Sequence, residues 1–142
     1  MTEGFDTSEG SDRLRTPPVE RFAGTEHVFD LGAAAAALRD ENHPGIDGHR
    51  QVSLFHRDGL SLVTFDFEPG GCLADHSAEA YVTILAVAGT FEVSTPSGVH
   101  ALPAGSLIVM APGIVHSVTA GPAGQILLIV DLAAAAVSGT GA

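Results

Sequence analysis

Lysine and tryptophan are absent from this sequence, and cysteine is nearly so. Its 142 residues include one cysteine, no tryptophan and no lysine. The single Cys72 has no partner for an intramolecular disulfide and no second cysteine for a zinc-ribbon motif. We therefore predict that Cys72 is a small buried apolar side chain rather than a cross-link or a metal ligand.

Positive charge is confined to the first part of the chain. All the basic residues are arginines at or before Arg57, and neither lysine nor arginine occurs from residue 58 to residue 142. With a formal net charge of −11, the protein offers phosphate groups no basic surface to neutralise them. Binding to nucleic acid or to anionic membrane lipid is therefore not expected.

Long apolar runs are also absent. No stretch approaches the roughly 18 residues that a membrane-spanning helix needs. The acidic start MTEGFDTSEGSD lacks the positively charged region that opens a signal peptide, so the sequence predicts a cytoplasmic protein. Hydrophobic residues still make up 45% of the chain, which is enough for one hydrophobic core in a single domain.

Composition divides the chain into four segments. Residues 1–24 are acidic and polar, which predicts a disordered arm. Residues 25–48 contain a short Ala-rich helix with Asp30 as its N-cap. Residues 49–132 predict a β domain, and residues 133–142 a flexible tail.

The segment from His49 onward alternates between short apolar runs and turns. Runs rich in Val, Ile, Leu, Phe and Thr are separated by the turns RDG, PGG, AG, TPSG, PAG, APG and GPAG. Their spacing of roughly 8–12 residues is typical of an all-β sandwich or barrel. Because many runs are apolar on both faces, we expect about ten strands in two packed sheets, with a second subunit over an outer face.

Two stretches of this β segment resemble a known family. PGGCLADHSAEAYVTILAVAGTFEV and LPAGSLIVMAPGIVHSV look like the two motifs of a cupin, and the resemblance covers roughly residues 45–132. It implies a small single-domain, RmlC-like cupin, which is a double-stranded jelly-roll barrel. In cupins, two histidines and a glutamate of the first motif and one histidine of the second hold a divalent metal inside the barrel.

Only half of these metal ligands are present here. The resemblance places the first histidine on His76 and the last on His116, but the second histidine on Ala78 and the glutamate on Val82. The first metal motif is therefore reduced. A mononuclear centre generally needs three protein ligands, or two histidines and a carboxylate. Glu79 is the nearest carboxylate that could turn inward, because Asp75, next to His76, should point to the opposite face.

Three interpretations of His76 and His116 stay open. The pair holds one divalent metal, which the sequence does not distinguish as Fe, Zn, Mn or Ni, with Glu79, water or substrate as a further ligand. Alternatively, the pair is a metal-free polar spot that binds or acts on a small molecule. In the third interpretation, both rings are buried and are satisfied by backbone groups.

Other residues have weaker claims to a role in the site. Arg50 is the basic residue best placed to pair with an acidic ligand, and Met110 fits a flexible pocket lining. His100 is a reserve third ligand, although a strand end facing water is its expected place. The remaining histidines are expected at the surface, in loops or at strand ends: His27, His43, His49 and His56.

The sequence thus predicts a cupin that processes a small molecule or binds a metal at His76 and His116, with an unknown reaction. If it is an enzyme, the resemblance implies a metal-dependent oxygenase or isomerase. The alternative is a metal-free module that binds or senses a small ligand, because Ala78 and Val82 make the barrel lining apolar. The predicted partners are a small-molecule ligand and a second copy in a homodimer.

Overall fold

The computed structural model describes residues 25–41, 45–122 and 126–133. The predicted N-terminal arm, the predicted tail beyond residue 133 and His43 lie outside these residues. No helix in the part of the chain that the structure describes has the length and apolar character needed to cross a bilayer.

One short helix, α1 (Leu31–Arg39), precedes the strands. The side chain of Asp30 accepts a hydrogen bond of 2.9 Å from the backbone N–H of Ala33, so the predicted N-cap is confirmed. The helix packs through its apolar side onto the outer face of a sheet, in a small core that includes Leu38, Val52 and Leu54.

Nine strands occur in the described residues. They are β1 (His49–Arg57), β2 (Leu60–Phe67), β3 (Cys72–His76), β4 (Ala80–Ala88), β5 (Phe91–Thr95), β6 (Gly98–Leu102), β7 (Leu107–Met110), β8 (His116–Ala120) and β9 (Ile126–Ala133). Sheet A has the order β1-β2-β9-β4-β7 and sheet B the order β3-β8-β5-β6, with all pairs antiparallel. The predicted all-β jelly-roll architecture is confirmed.

The main core lies between the inner faces of the two sheets. Inward positions alternate with outward ones along each strand, as in β4, where Val82, Ile84 and Ala86 are buried. Aromatic and branched side chains from both sheets fill the space between them, including Phe65, Phe67, Phe91, Val93, Val118, Leu127 and Ile129. The interior is therefore apolar over most of its length.

Gly48 and Gly71 bring the starts of β1 and β3 into direct backbone contact. A Cβ atom on Gly71 would overlap the carbonyl oxygen of Gly48, and one on Gly48 would lie 2.8 Å from the Cα of Gly71. The N–H of Cys72 donates to the carbonyl of Asp47 at 2.9 Å, and the N–H of Ala120 donates to that of Gly71 at 2.8 Å. This contact fixes the base of β3 against sheet A and against β8.

His49 is buried, and its predicted surface position is wrong. Its ring packs against those of Phe65 and Phe67, with centroid distances of 5.7 and 5.4 Å. Its Nδ1 donates to the carbonyl oxygen of Cys72 at 3.0 Å, while Cys72 is half-buried rather than fully buried. Burial lowers the pKa of His49 below its ordinary value, and the hydrogen bond to Cys72 opposes that shift.

Replacing Gly71 by alanine should lower the free energy of unfolding by at least about 2 kcal/mol, because the new Cβ must displace backbone at the β1–β3 contact. Gly32→Ala is the matched control. At Gly32 a Cβ meets only the Asp30 Oδ1 at 3.5 Å, so this change should stabilise α1 by about 0.5–1 kcal/mol. Urea unfolding of both variants measures the difference, and equal effects would contradict the contact.

The burial of His49 also predicts a pH dependence. Because its folded pKa lies below the ordinary 6.5, the stability that neutral His49 contributes is complete above that pH. It is lost as the pH falls from 6.5 toward the folded pKa. The phenyl ring of a His49→Phe variant does not titrate. The free energy of unfolding should therefore drop more for the wild type than for this variant between about pH 7.5 and about pH 5.5; parallel drops would show that His49 does not contribute.

Candidate functional site

His116 begins β8 and faces the interior. His116, Val118 and Ala120 are buried along β8, whereas Thr119 is exposed, as the two-residue period of a strand requires. The side chain of His116 is only 1% exposed. It therefore lies on the inner face of sheet B, at the end where β8 enters the barrel.

A bulge in β3 places His76 on the same face. Leu73 pairs with Val118 and His76 pairs with His116, so β3 uses one more residue than β8 over this interval. In a regular strand, Leu73 and His76 would point to opposite faces. The extra residue of the bulge puts both side chains on the inner face, opposite Val118 and His116. The rings of His76 and His116 consequently meet with centroids 4.2 Å apart and planes at 61°.

Backbone carbonyls define the tautomer of both rings. The Nδ1 of His76 lies 2.9 Å from the carbonyl oxygen of Ala74, and the Nδ1 of His116 lies 3.0 Å from that of Ile114. A carbonyl oxygen only accepts, so each Nδ1 carries the proton. In the neutral rings, each Nε2 therefore has its lone pair available. The Nε2 of His116 is buried without a hydrogen-bond partner.

The two motif segments are held together beside the site. The N–H of Gly113 donates to the carbonyl of Ala78 at 2.8 Å, and Ala78 packs against the main core. Glu79 is exposed, whereas Ala80 next to it is buried. The geometry thus lends no support to Glu79 as a ligand of the histidine pair.

Asp131 of β9 is the residue that sequence reasoning missed. It pairs with Val82 and follows Leu127 and Ile129 at two-residue intervals, and both of these belong to the main core. Asp131 is therefore on the inner face of sheet A. The available signal was a single carboxylate at an inward position of the otherwise apolar run ILLIVDLA.

The electrostatic environment links Asp131 to the two histidines. Burial raises the pKa of Asp131 above its ordinary value, and positive charge on His116 and His76 opposes this rise. Its Oδ1 is buried without a hydrogen-bond partner. Even so, no three His, Cys, Asp or Glu side chains among the described residues converge at metal-binding spacing. The three groups are neighbours rather than a preformed cage.

Met110 and Arg50 lie in different surroundings. Met110 is buried in the main core and pairs with Val82, which places it on the inner face at the level of the site. Arg50 pairs with Asp66, which accepts an ion-paired hydrogen bond of 2.9 Å from Arg39 of α1. Arg50 is therefore on the helix side of sheet A, and its predicted pairing with a ligand inside the barrel has no support in the geometry.

The other histidines also lie outside the pair. His56 is exposed on β1, as expected. His27 was expected in solvent. It is instead half-buried against the rings of Phe29 and Phe55, at centroid distances of 6.2 and 5.7 Å. His100 is half-buried, with its Nε2 3.3 Å from the hydroxyl oxygens of Thr95 and Ser97.

Solved structures share this architecture. An RmlC-like cupin from Shewanella frigidimarina is 24% identical, with a TM-score of 0.57 over 62% of this chain and 78% of that one. A conserved protein of unknown function from Streptococcus pyogenes is 26% identical, with a TM-score of 0.58 over 76% and 90% of the two chains. A variant of oxalate decarboxylase from Bacillus subtilis is 18% identical, with a TM-score of 0.58 over 69% and 29%.

These likenesses show that the chain has the cupin fold, as its two motifs predicted. No protein-family model matches the sequence, and no curated protein matches it either.

Proposed function

We propose that this cupin-fold domain binds one divalent metal ion through His76 and His116 and processes a small organic molecule there. The observation that carries the proposal is the pair of imidazoles in edge-to-face contact, both with the Nδ1 proton donated to a backbone carbonyl. Outer hydrogen bonds of this kind orient metal-ligating histidines. The buried, unpartnered Nε2 of His116 is a free electron-pair donor inside the fold.

The donor set fits a borderline metal such as Zn, Fe, Mn or Ni, since neutral imidazole suits this class of ion. When bound, the ion supplies Lewis-acid polarisation or, in the case of iron, activation of oxygen. Ala74 and Ile114 hold the two rings in orientation through their carbonyls. The buried side chains of Val82 and Met110 give this part of the interior an apolar lining.

Access to the site comes from the side of His76. His76 is exposed, whereas His116 is buried behind it. A small molecule arriving from solvent therefore meets His76 first and an apolar interior beyond His116. Oxalate decarboxylase, with the same fold, is an enzyme, but this fold hosts many reactions and by itself selects none.

Metal binding to the purified protein tests this proposal. We expect chelator-treated wild type to bind about one Zn²⁺ per chain in calorimetric titration, and His76→Ala and His116→Ala each to weaken binding at least about 10–100-fold. His100→Ala is the matched control, because His100 is a half-buried histidine of the same sheet whose Nε2 is near hydroxyl groups.

Equal Zn²⁺ affinity and equal metal content in wild type, His76→Ala and His116→Ala would overturn the proposal. Absence of binding by the wild type would overturn it as well and would favour the metal-free alternative. In that case, a small molecule that raises the melting temperature without being changed would identify a binding or sensing module.

We also propose that a second copy of the chain covers the outer face of sheet A beyond α1. Four large apolar side chains are exposed on this face: Tyr81, Leu107, Val109 and Leu132. They lie on β4, β7 and β9, and β7 is the edge strand of sheet A in the described residues. In a two-fold dimer, the same patch of both copies forms the interface. An uncharged apolar patch can pack against its own copy, and the edge strand beside it has backbone groups that a second copy can pair with.

Val109→Glu should shift a dimer toward monomer in analytical ultracentrifugation at micromolar concentration, because it buries a charge in the proposed interface. Val99→Glu is the control: Val99 is 63% exposed, close to the 60% of Val109, but lies on β6 of sheet B. A monomeric wild type, or equal effects of both changes, would contradict this interface.

A further inference from the structure

We infer that Ser61 and Asp131 form a subsite that binds a primary ammonium group. This inference rests on the proposed function, since the group belongs to the small molecule that the histidine pair processes. It names the chemical class of that molecule: a small apolar compound that carries an amine rather than a carboxylate.

Strand register places Ser61 beside Asp131 on the inner face of sheet A. The two residues are directly opposite each other on β2 and β9. Directly opposed residues of an antiparallel pair point to the same face, with Cβ atoms about 4.5–5.5 Å apart. Ser61 also precedes Val63 and Phe65 at two-residue intervals, and both of these pack in or against the main core. The hydroxyl group and the carboxylate are therefore close enough to contact one ammonium group together.

This pair lies in a row of inner-face residues that changes from apolar and buried to polar and open. On one side of Asp131, Val82 and then Met110 are buried. On the other side, Ser61 is half-buried, and His56, directly opposite it on β1, is exposed. A small molecule that lies along the row therefore puts its polar group near Ser61 and Asp131 and its apolar part toward Val82.

The charges around the row favour a cation over an acid. Asp131 interacts electrostatically with both rings of the histidine pair, and the exposed Asp75 and Glu79 lie within three residues of His76. The arginines of the described residues are on α1 or at outer-face positions of β1: Arg39, Arg50 and Arg57. An ammonium group thus meets carboxylates here, whereas an acidic ligand would be brought next to them without a side-chain cation to pair with it.

Neither a proton nor a metal ion at the site reverses this preference. If Asp131 and His116 share one proton, the two groups together are neutral, and Asp75 and Glu79 keep their negative charge. If the histidine pair holds a divalent ion, the nearby carboxylates offset its charge. In both states the surroundings give an acid no net attraction, and the hydroxyl oxygen of Ser61 still accepts a hydrogen bond from an ammonium group.

The test compares three four-carbon molecules that differ in charge: n-butylamine, 1-butanol and butyrate. NMR titration of chelator-treated full-length protein follows the imidazole signals of His76 and His116 at about pH 8, where an ordinary histidine is neutral and an alkylamine is still protonated. We expect n-butylamine to bind at least about 10-fold more tightly than butyrate, with 1-butanol between them. Added salt should reduce the difference.

Two variants locate the subsite. Asp131→Asn should weaken n-butylamine binding at least about 10-fold and affect 1-butanol much less, because it removes only the charge. Ser61→Ala should weaken n-butylamine binding by about 3–10-fold through the loss of one hydrogen bond. Glu92→Gln and Ser94→Ala are the matched controls, because both residues lie on the outer face of β5 in sheet B. Each control should change the affinity by less than about 2-fold.

Butyrate that binds as tightly as n-butylamine would overturn the inference, and so would absence of n-butylamine binding or equal effects of Ser61→Ala and Ser94→Ala. In each case, Zn²⁺ binding that depends on His76 and His116 would leave the proposed function standing. A wild type that prefers n-butylamine but binds no Zn²⁺ would support the subsite and overturn only the metal centre. Should Asp131→Asn not fold, wild-type n-butylamine affinity in folded Ser61→Ala is enough to overturn the inference.

Discussion

The bulge between Leu73 and His76 is the constraint on which the candidate site depends. Without the extra residue, His76 would lie on the outer face of sheet B, and His116 would face the interior alone. The contact of Gly48 with Gly71 fixes the start of β3, and the pairing of β3 with β8 fixes its end. A site that needs two rings at contact distance is thus set by backbone geometry, because ring flexibility alone does not move a side chain to the other face of a sheet.

Polarity is distributed unevenly inside the barrel. The interior is packed with apolar side chains, while His76, His116 and Asp131 gather at one end. Two of their atoms are buried without hydrogen-bond partners, which costs stability. Strained or unsatisfied groups concentrate at functional sites, where they serve ligand binding at the expense of the fold. This unevenness favours a binding role over the interpretation in which backbone groups satisfy both rings completely.

Several parts of the structure follow from local chemistry that the sequence displays. Asp30 before an Ala-rich run predicts the start of α1, and the RDG turn predicts the β1–β2 hairpin, in which Asp58 and Gly59 both have positive φ. These two signals are short-range, and neighbouring residues alone determine them. The jelly-roll barrel was predicted in another way, from the resemblance of the two motifs to those of cupins.

Other features depend on contacts between distant segments and were not readable. His49 looks like a polar residue at a strand start, and only the packing of Phe65 and Phe67 around it makes it a core residue. Asp131 carries no motif, and its importance appears only once β9 lies beside β4. Arg50 seemed available to a ligand because sequence alone does not tell which face of sheet A receives α1.

The position of β9 between β2 and β4 has a consequence for how the molecule assembles. β1 and β2 pair through a tight hairpin. β9 instead pairs with two strands that lie far away in the sequence, with Leu132 opposite Leu60 of β2 and Ala133 opposite Ala80 of β4. Pairing strands so far apart closes a long loop of chain. This step is slow, because the chain loses conformational entropy before the contacts between the strands form. Asp131 therefore reaches the candidate site together with β9, whose pairing with β2 joins the residues furthest apart in the sequence among the described strand pairs. A chain in which β3 and β8 have paired but β9 has not yet docked would therefore hold the two imidazoles together without the carboxylate of Asp131.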